Sequence, residues 1–338
     1  MTDRASGALA GLFIGDALAM PVHWYYQRAA LLRDYGRIED YQAPRNPHPD
    51  SILWRSHYSP PNGRGDILHD QAAYWGRRGV HYHQFLAAGE NTLNLKLCRL
   101  LVASLNELGR HDVDDFLRRY VDFMTTPGRH RDTYVEECHR HFFAEYARNV
   151  PLRRCAGDDI HVAGLIGSVP VVVYYRGDPE AARAAARKQV ALTHAGRIME
   201  EATALFADIL LEVLAGSGLE AVLEGRIERR DSPYLAHPFR RWRRQPDEVV
   251  IGGHLSPACY LDHALPATLF LALKYHDDPE AALVANTNLG GDNCHRGALL
   301  GALLGAEHGP EGFPERWRSG LVEAVPLLHG GGVSETRS

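Results

Sequence analysis

The sequence is poor in cysteine. Five cysteines, at positions 98, 138, 155, 259 and 294, are scattered over 338 residues, and no CxxC pair occurs. That pattern excludes a disulfide scaffold and a zinc ribbon and points to a reducing compartment. Basic charge is not in excess either. The net charge is −5, so no global field recommends nucleic acid as a partner. The N-terminal stretch MTDRASGALAGLFIGDALAM carries an early Asp and is interrupted by Asp16, so it reads as neither a signal peptide nor a membrane span. These absences lead us to expect a cytoplasmic protein with no membrane partner. Strand–helix alternation, tandem repeats and low-complexity tracts are missing as well. The expected fold class is therefore all-α, with a single domain over 1–330 and a disordered tail over 331–338.

Histidine, by contrast, is abundant: nineteen occur, which invites a search for site chemistry. Hydrophobic residues make up 45% and charged residues 23%, as in an ordinary globule. A chain of this length can bury about three quarters of its unfolded surface.

Apolar periodicity predicts helices over 5–20, 90–108, 112–124, 132–148, 179–192, 197–215 and 264–276, with a short helix near 66–79. The apolar segment 164–175 contains Pro170 and fits a strand or a buried helix; its neighbours favour helix. Residues 41–66 are rich in Pro, Asn and Gly, the composition of a lid or binding loop. Seven arginines between 226 and 244 read as a solvated helix end and loop, or as a phosphate-contacting loop. Gly7, Gly11 and Gly15 repeat every fourth residue near the start, and Gly297, Gly301 and Gly305 do so near the end. Each costs roughly 1 kcal/mol of helix propensity. Close approach of another backbone would offset that cost, so the first and last long helices are expected to interlock and to bring the Asp16 and Asp292 regions together.

The stretch NLGGDNCHRGALLGALLGAEHG, 288–309, opens the last of these helices. Asp292 stands where an N-cap belongs. Cys294 and His295 then fall in the first turn, where a thiol is activated by the helix dipole and a neighbouring imidazole can hold its proton. A buried inert Cys is the plainer alternative. Elsewhere, Cys138, His139 and His141 do not share a helix face, and HYH at 81–83 reads as a surface loop. Thr193-His194 reads as a helix end where His complements the dipole. Trp24, Tyr25 and Tyr26 suit core packing, or stacking on a nucleobase.

Several of these stretches together resemble the ADP-ribosylglycohydrolase family. GALAGLFIGDALAMPVHW resembles the family's GxxxGDALGxPxE motif. AGENTLNLKLCRLLVASL lies where the family has TDDT and a helix. ALTH at 191–194 matches a central helix end, and the 288–309 stretch resembles GGDTDTxxxxxGAxxGAxxG. The resemblance covers essentially the whole chain. It implies a compact orthogonal helical bundle with a cleft between motif-bearing helix ends, and cleavage of a bond at a ribose anomeric carbon.

Two magnesium ions are the family norm. Carried over position by position, their ligand set becomes Gly89, Glu90, Asn91, Asp292, Cys294 and His295. Asp16 is kept, and the acidic residue ending the first motif is His23. Magnesium wants hard oxygen donors, whereas Cys and His suit zinc or iron, so no magnesium cofactor is expected. The resemblance then implies a hydrolase of an ADP-ribosyl or related ribosyl substrate, a small molecule or a modified protein side chain. Glu90, Asp292, Cys294, His295, His23 and Asp16 are its candidate catalytic residues. Asn91, Thr92, Asn293, Trp24 and Tyr25 are candidates for substrate binding. Glu90 and Asp292 are the carboxylates flanking an oxocarbenium-like centre, and His23 is the candidate acid. The alternatives are Cys294 as nucleophile, a zinc or iron site, and an inactive ligand-binding member.

Overall fold

The computed structural model describes residues 3–329, so the expected tail 331–338 lies outside the described residues. Helices account for most of it. The first six are α1 (Arg4–Ala19), α2 (Arg28–Tyr35), α3 (Leu93–Leu108), α4 (Val113–Thr125), α5 (Glu137–Ala147) and α6 (Ser168–Tyr174). Next come α7 (Pro179–Val190), α8 (Arg197–Leu214), α9 (Leu219–Arg229), α10 (Phe239–Trp242) and α11 (Asp247–Val250). The series ends with α12 (Leu261–Lys274), α13 (Pro279–Leu289), α14 (Asn293–His308) and α15 (Glu315–Gly320). Two two-residue strands, β1 (Gly157–Asp158) and β2 (His194–Ala195), pair in parallel, Gly157 opposite His194. The fold is all-α.

At the centre α1 lies against α14, and glycine makes the contact possible. A Cβ built on Gly11 would fall 1.8 Å from the Gly301 carbonyl oxygen; one on Gly15 would fall 2.0 Å from that of Gly297. Gly7 meets Gly305 in the same way. The expected interlocking of the two ridges is what the structure has. Almost all of α1 and α14 is buried, which needs apolar residues on every face and explains why neither helix is amphipathic. Residues Arg4–Val22 are long and apolar enough to cross a membrane, but 89% of their most apolar window is buried in this fold.

Several local expectations are corrected. The segment near 66–79 forms a 3-10 turn, His69–Tyr74. The helix expected from 132 begins at Glu137, because 130–136 run irregularly to bring Asp132 and Glu136 inward. The apolar segment 164–175 is helical, a 3-10 turn leading into α6. HYH at 81–83 is not a surface loop: His81, Tyr82 and His83 are all buried. The loop 41–66 packs inward in part, with His48 Nε2 3.0 Å from the His23 carbonyl.

Candidate functional site

The N-terminal ends of α3, α5 and α14 converge with the end of the α1 segment, which leads through a 3-10 turn to His23. The turn at 24–25 is knitted to the loop before α14. Trp24 N–H donates to the Gly291 carbonyl (2.8 Å), and Gly291 N–H donates to the Tyr25 carbonyl (2.7 Å). Gly291 has a φ of +66°, and a Cβ there would fall 2.1 Å from the Pro257 carbonyl oxygen, so only glycine fits. Asp292 N–H also donates to that carbonyl at 2.8 Å.

These contacts fix Asp292 at the N-cap position of α14, yet its side chain makes no capping bond. The capping role expected from the sequence is therefore corrected: the carboxylate faces imidazoles. His23 Nε2 lies 2.9 Å from Asp292 Oδ1, and His295 Nδ1 lies 2.7 Å from the same oxygen. Asp292 Oδ2 is buried with no hydrogen-bond partner among the described residues.

From His23 the network runs deeper. His23 Nδ1 is 2.8 Å from His83 Nε2, and His83 Nδ1 is 3.0 Å from Asp132 Oδ1. Three contacts at hydrogen-bond distance thus join four side chains, Asp132, His83, His23 and Asp292, with a carboxylate at each end. Asp132 is further paired with Lys96 at 3.3 Å.

On its far side His295 reaches Glu136. His295 Nε2 is 3.5 Å from Glu136 Oε1, and the Asn94 amide donates to that oxygen at 2.5 Å. Asn94 Nδ2 is also 2.9 Å from His295 Nε2. Glu136 leaves 15% of its side chain exposed, whereas His295 and Asp292 leave 1% and none, so Glu136 is the group of the three that meets solvent.

Electrostatics separate these groups. Burial, reinforced by the charge of Asp292, holds the Glu136 carboxyl above its ordinary value. Burial also acts on Asp292, but His295 and His23 outweigh it and hold that carboxyl well below the usual range. Burial works against a charged His295, yet Asp292 and Glu136 raise it to about 9. Burial drives His23 well below its ordinary value, against the pull of Asp292.

Of the residues singled out from the sequence, His23, Asp292 and His295 meet. Asp16 does not join them. Its buried carboxylate accepts from Asn91 Nδ2 (2.9 Å), Thr92 N–H (2.9 Å) and Thr92 Oγ1 (2.6 Å), tying α1 to the start of α3. Asn91 and Thr92 are spent in that cluster. Glu90 is held by Lys96 (3.1 Å), Arg131 (2.8 Å) and the Ala87 N–H (2.9 Å). Gly89 packs its backbone against Gly320. Cys294 is fully buried beside Ala19, Met20 and Leu86, and its thiol lies 3.6 Å from the Asp16 carbonyl. Burial pushes that thiol well up, so the activation expected at a helix start is absent. Asn293 is fully buried and donates to the Thr287 carbonyl.

Trp24 stacks on His23 with ring centres 3.7 Å apart, and Tyr25 is core. Tyr26, 45% exposed, is left as an aromatic rim. His194 is buried and shifted down to about 4 by desolvation, so it is neutral and does not serve the dipole role expected of it. Asp132, His83, Lys96, Asn94 and Glu136 were missed as a group. The only sequence signal is the density of His, Asp and Glu in HRDTYVEECH, 130–139.

The site is thus a set of buried carboxylates and imidazoles gathered at helix starts of an all-α bundle, with Glu136 partly exposed at its edge. A model of the ADP-ribosylglycohydrolase family matches residues 1–333, and the chain belongs to that family. A solved structure titled ADP-ribosylglycohydrolase-related protein complex shares the fold, with a TM-score of 0.65 and 24% identity over 94% of this chain and 92% of that one. No curated protein matches the sequence.

Proposed function

We propose that this glycohydrolase cleaves the bond at the ribose anomeric carbon of an ADP-ribosyl or related ribosyl substrate, without the magnesium pair usual in the family. One observation carries the reading. Glu136 and Asp292 stand on either side of His295, and their environments push the two carboxyls in opposite senses. A pair split in this way supplies an acid and a fixed negative charge.

In this reading Glu136, in its acid form and partly exposed, gives its proton to the leaving group as the glycosidic bond breaks. The imidazolium of His295 steadies the carboxylate left behind. Negative charge on Glu136 and Asp292 stabilises the oxocarbenium-like centre. Water adds to the anomeric carbon, and its proton returns to Glu136. His23 is a positioning residue, since both its nitrogens are engaged.

The residues do not fit two magnesium ions. Glu90 is neutralised by two cations, Cys294 faces apolar side chains, and imidazole is a poor magnesium ligand. A second reading has one specific support: His23, Asp292 and His295 offer ligand atoms within 4.8 Å of one another, a set suited to zinc or iron. It ranks lower because an ion there would replace the His23–Asp292 hydrogen bond.

The test is a panel of ADP-ribosyl and ribosyl compounds, scored for turnover and for binding. Turnover of at least one is expected. Binding of ADP-ribose with no turnover of any compound would sink the hydrolase in favour of an inactive ligand-binding member.

A further inference from the structure

The small parallel sheet has no evident reason to exist in a helical bundle, and its position suggests one. β2 contributes His194, and the residue following β1 is Asp159, whose N–H donates to the Ala195 carbonyl at 3.2 Å. The first turn of α5 lies against the pair and contributes Cys138. A thiol, a carboxylate and an imidazole drawn from three separate segments thus present ligand atoms within 4.8 Å of one another.

We propose that Cys138, Asp159 and His194 form a zinc-binding site, distinct from the cluster around Asp292.

Four observations converge on it. His194 is 97% buried, yet its Nε2 has no hydrogen-bond partner among the described residues, a costly state for a ring nitrogen. That nitrogen lies 4.0 Å from Asp159 Oδ1, too far for a hydrogen bond and near the span of two donors on one ion. The other ring nitrogen is 2.9 Å from Thr193 Oγ1, a contact that fixes the ring. When Nδ1–H donates to that hydroxyl, the Nε2 lone pair faces Asp159. Asp159 is steadied in turn by His161 Nδ1 at 2.8 Å. Outer partners of this kind orient metal ligands.

The donor chemistry selects the ion. Thiolate and imidazole favour zinc over magnesium or calcium. Zinc sits about 2.0–2.3 Å from such donors, so closure of the three by ~1 Å completes the contact. His194, neutral at pH 7, and the Asp159 carboxylate are already in ligand form. Cys138, a thiol while burial holds it up, gives up its proton as the sulfur–metal bond forms. Cys138, Asp159, His161 and Thr193 line an open groove of about 250 Å³, which leaves a fourth coordination position to water or a ligand. Because Glu136 is two residues from Cys138, the ion would also anchor the segment that carries it.

Cobalt(II) tests this on the full chain after metal stripping. The expected result is tight uptake of about one ion, a thiolate-to-cobalt charge-transfer band, displacement by zinc, and loss of the band in Cys138→Ser and His194→Gln. Cys259→Ser should keep it. Uptake without that band would place the ion in the His23–Asp292–His295 cluster, which has no thiol, and would overturn the proposal. So would no stoichiometric uptake, or a band that survives Cys138→Ser. Should that variant fail to fold, X-ray absorption of the zinc-loaded wild type decides: a sulfur neighbour at about 2.3 Å is expected, and a shell of only nitrogen and oxygen contradicts the site.

Discussion

His23 Nε2 and Asp292 Oδ1 meet at 2.9 Å although 269 residues separate them in the chain. The meeting depends on the depth to which α14 sinks onto α1. Gly11→Ala would drive a methyl group into the Gly301 carbonyl, which is helix backbone and cannot swing aside, with the buried Phe313 ring 2.8 Å away. We expect a loss of about 4 kcal/mol or more, read as a large fall in thermal midpoint. A midpoint within a few degrees of wild type would show that the helices can part without cost.

Glu136→Gln keeps shape and hydrogen bonding but carries no transferable proton. Its rate should fall about 10²–10⁴-fold while ADP-ribosyl binding persists. In the wild type the rate should decline as pH rises through the elevated Glu136 value, because only the acid form donates. Steady-state kinetics across pH checks both statements.

Cys294→Ala should retain the rate within about threefold and lose roughly 1–2 kcal/mol of stability, because its thiol packs against apolar neighbours. A large loss of turnover at unchanged stability would restore the thiol as a nucleophile.

Stability should depend on pH in two directions. Burial lowers His48 to about 4, His139 to about 3 and His194 to about 4, and lowers His23 and His81 strongly. The unfolded chain protonates these near 6.5, so below that pH it binds more protons and stability falls as pH falls. Burial opposes charge on His295, but its carboxylate neighbours raise it to about 9; for His161, Asp159 and Cys259 likewise overcome burial and raise it to about 11. Their contribution is full below about 6.5 and is lost as pH rises through those values. Each group is worth about 1.4 kcal/mol per pH unit. Urea unfolding should therefore find a maximum near pH 6.5–7, with the steeper fall on the acid side.

The sequence made the central packing readable because a four-residue glycine period has a single geometric use on a helix. It also marked His23, Asp292 and His295, which sit at helix ends next to that packing. Glu136 was not legible. Its raised carboxyl comes from burial and from Asp292, far away in sequence, while locally it is one of several acids before a helix. His81 and His83 were misread because a polar triplet in a loop carries no periodicity. Their burial rests on tertiary bonds, from His81 Nε2 to the Pro21 carbonyl and from His83 to Asp132. Glu90 kept the family's acidic position but lost its site, because Lys96 and Arg131 claim both its oxygens.

The most direct test measures hydrolysis of an ADP-ribosyl compound by wild type and Glu136→Gln, each with and without added magnesium. Wild-type turnover that magnesium does not change, and that Glu136→Gln nearly abolishes, is the expected result. Turnover that requires magnesium and survives Glu136→Gln would contradict it.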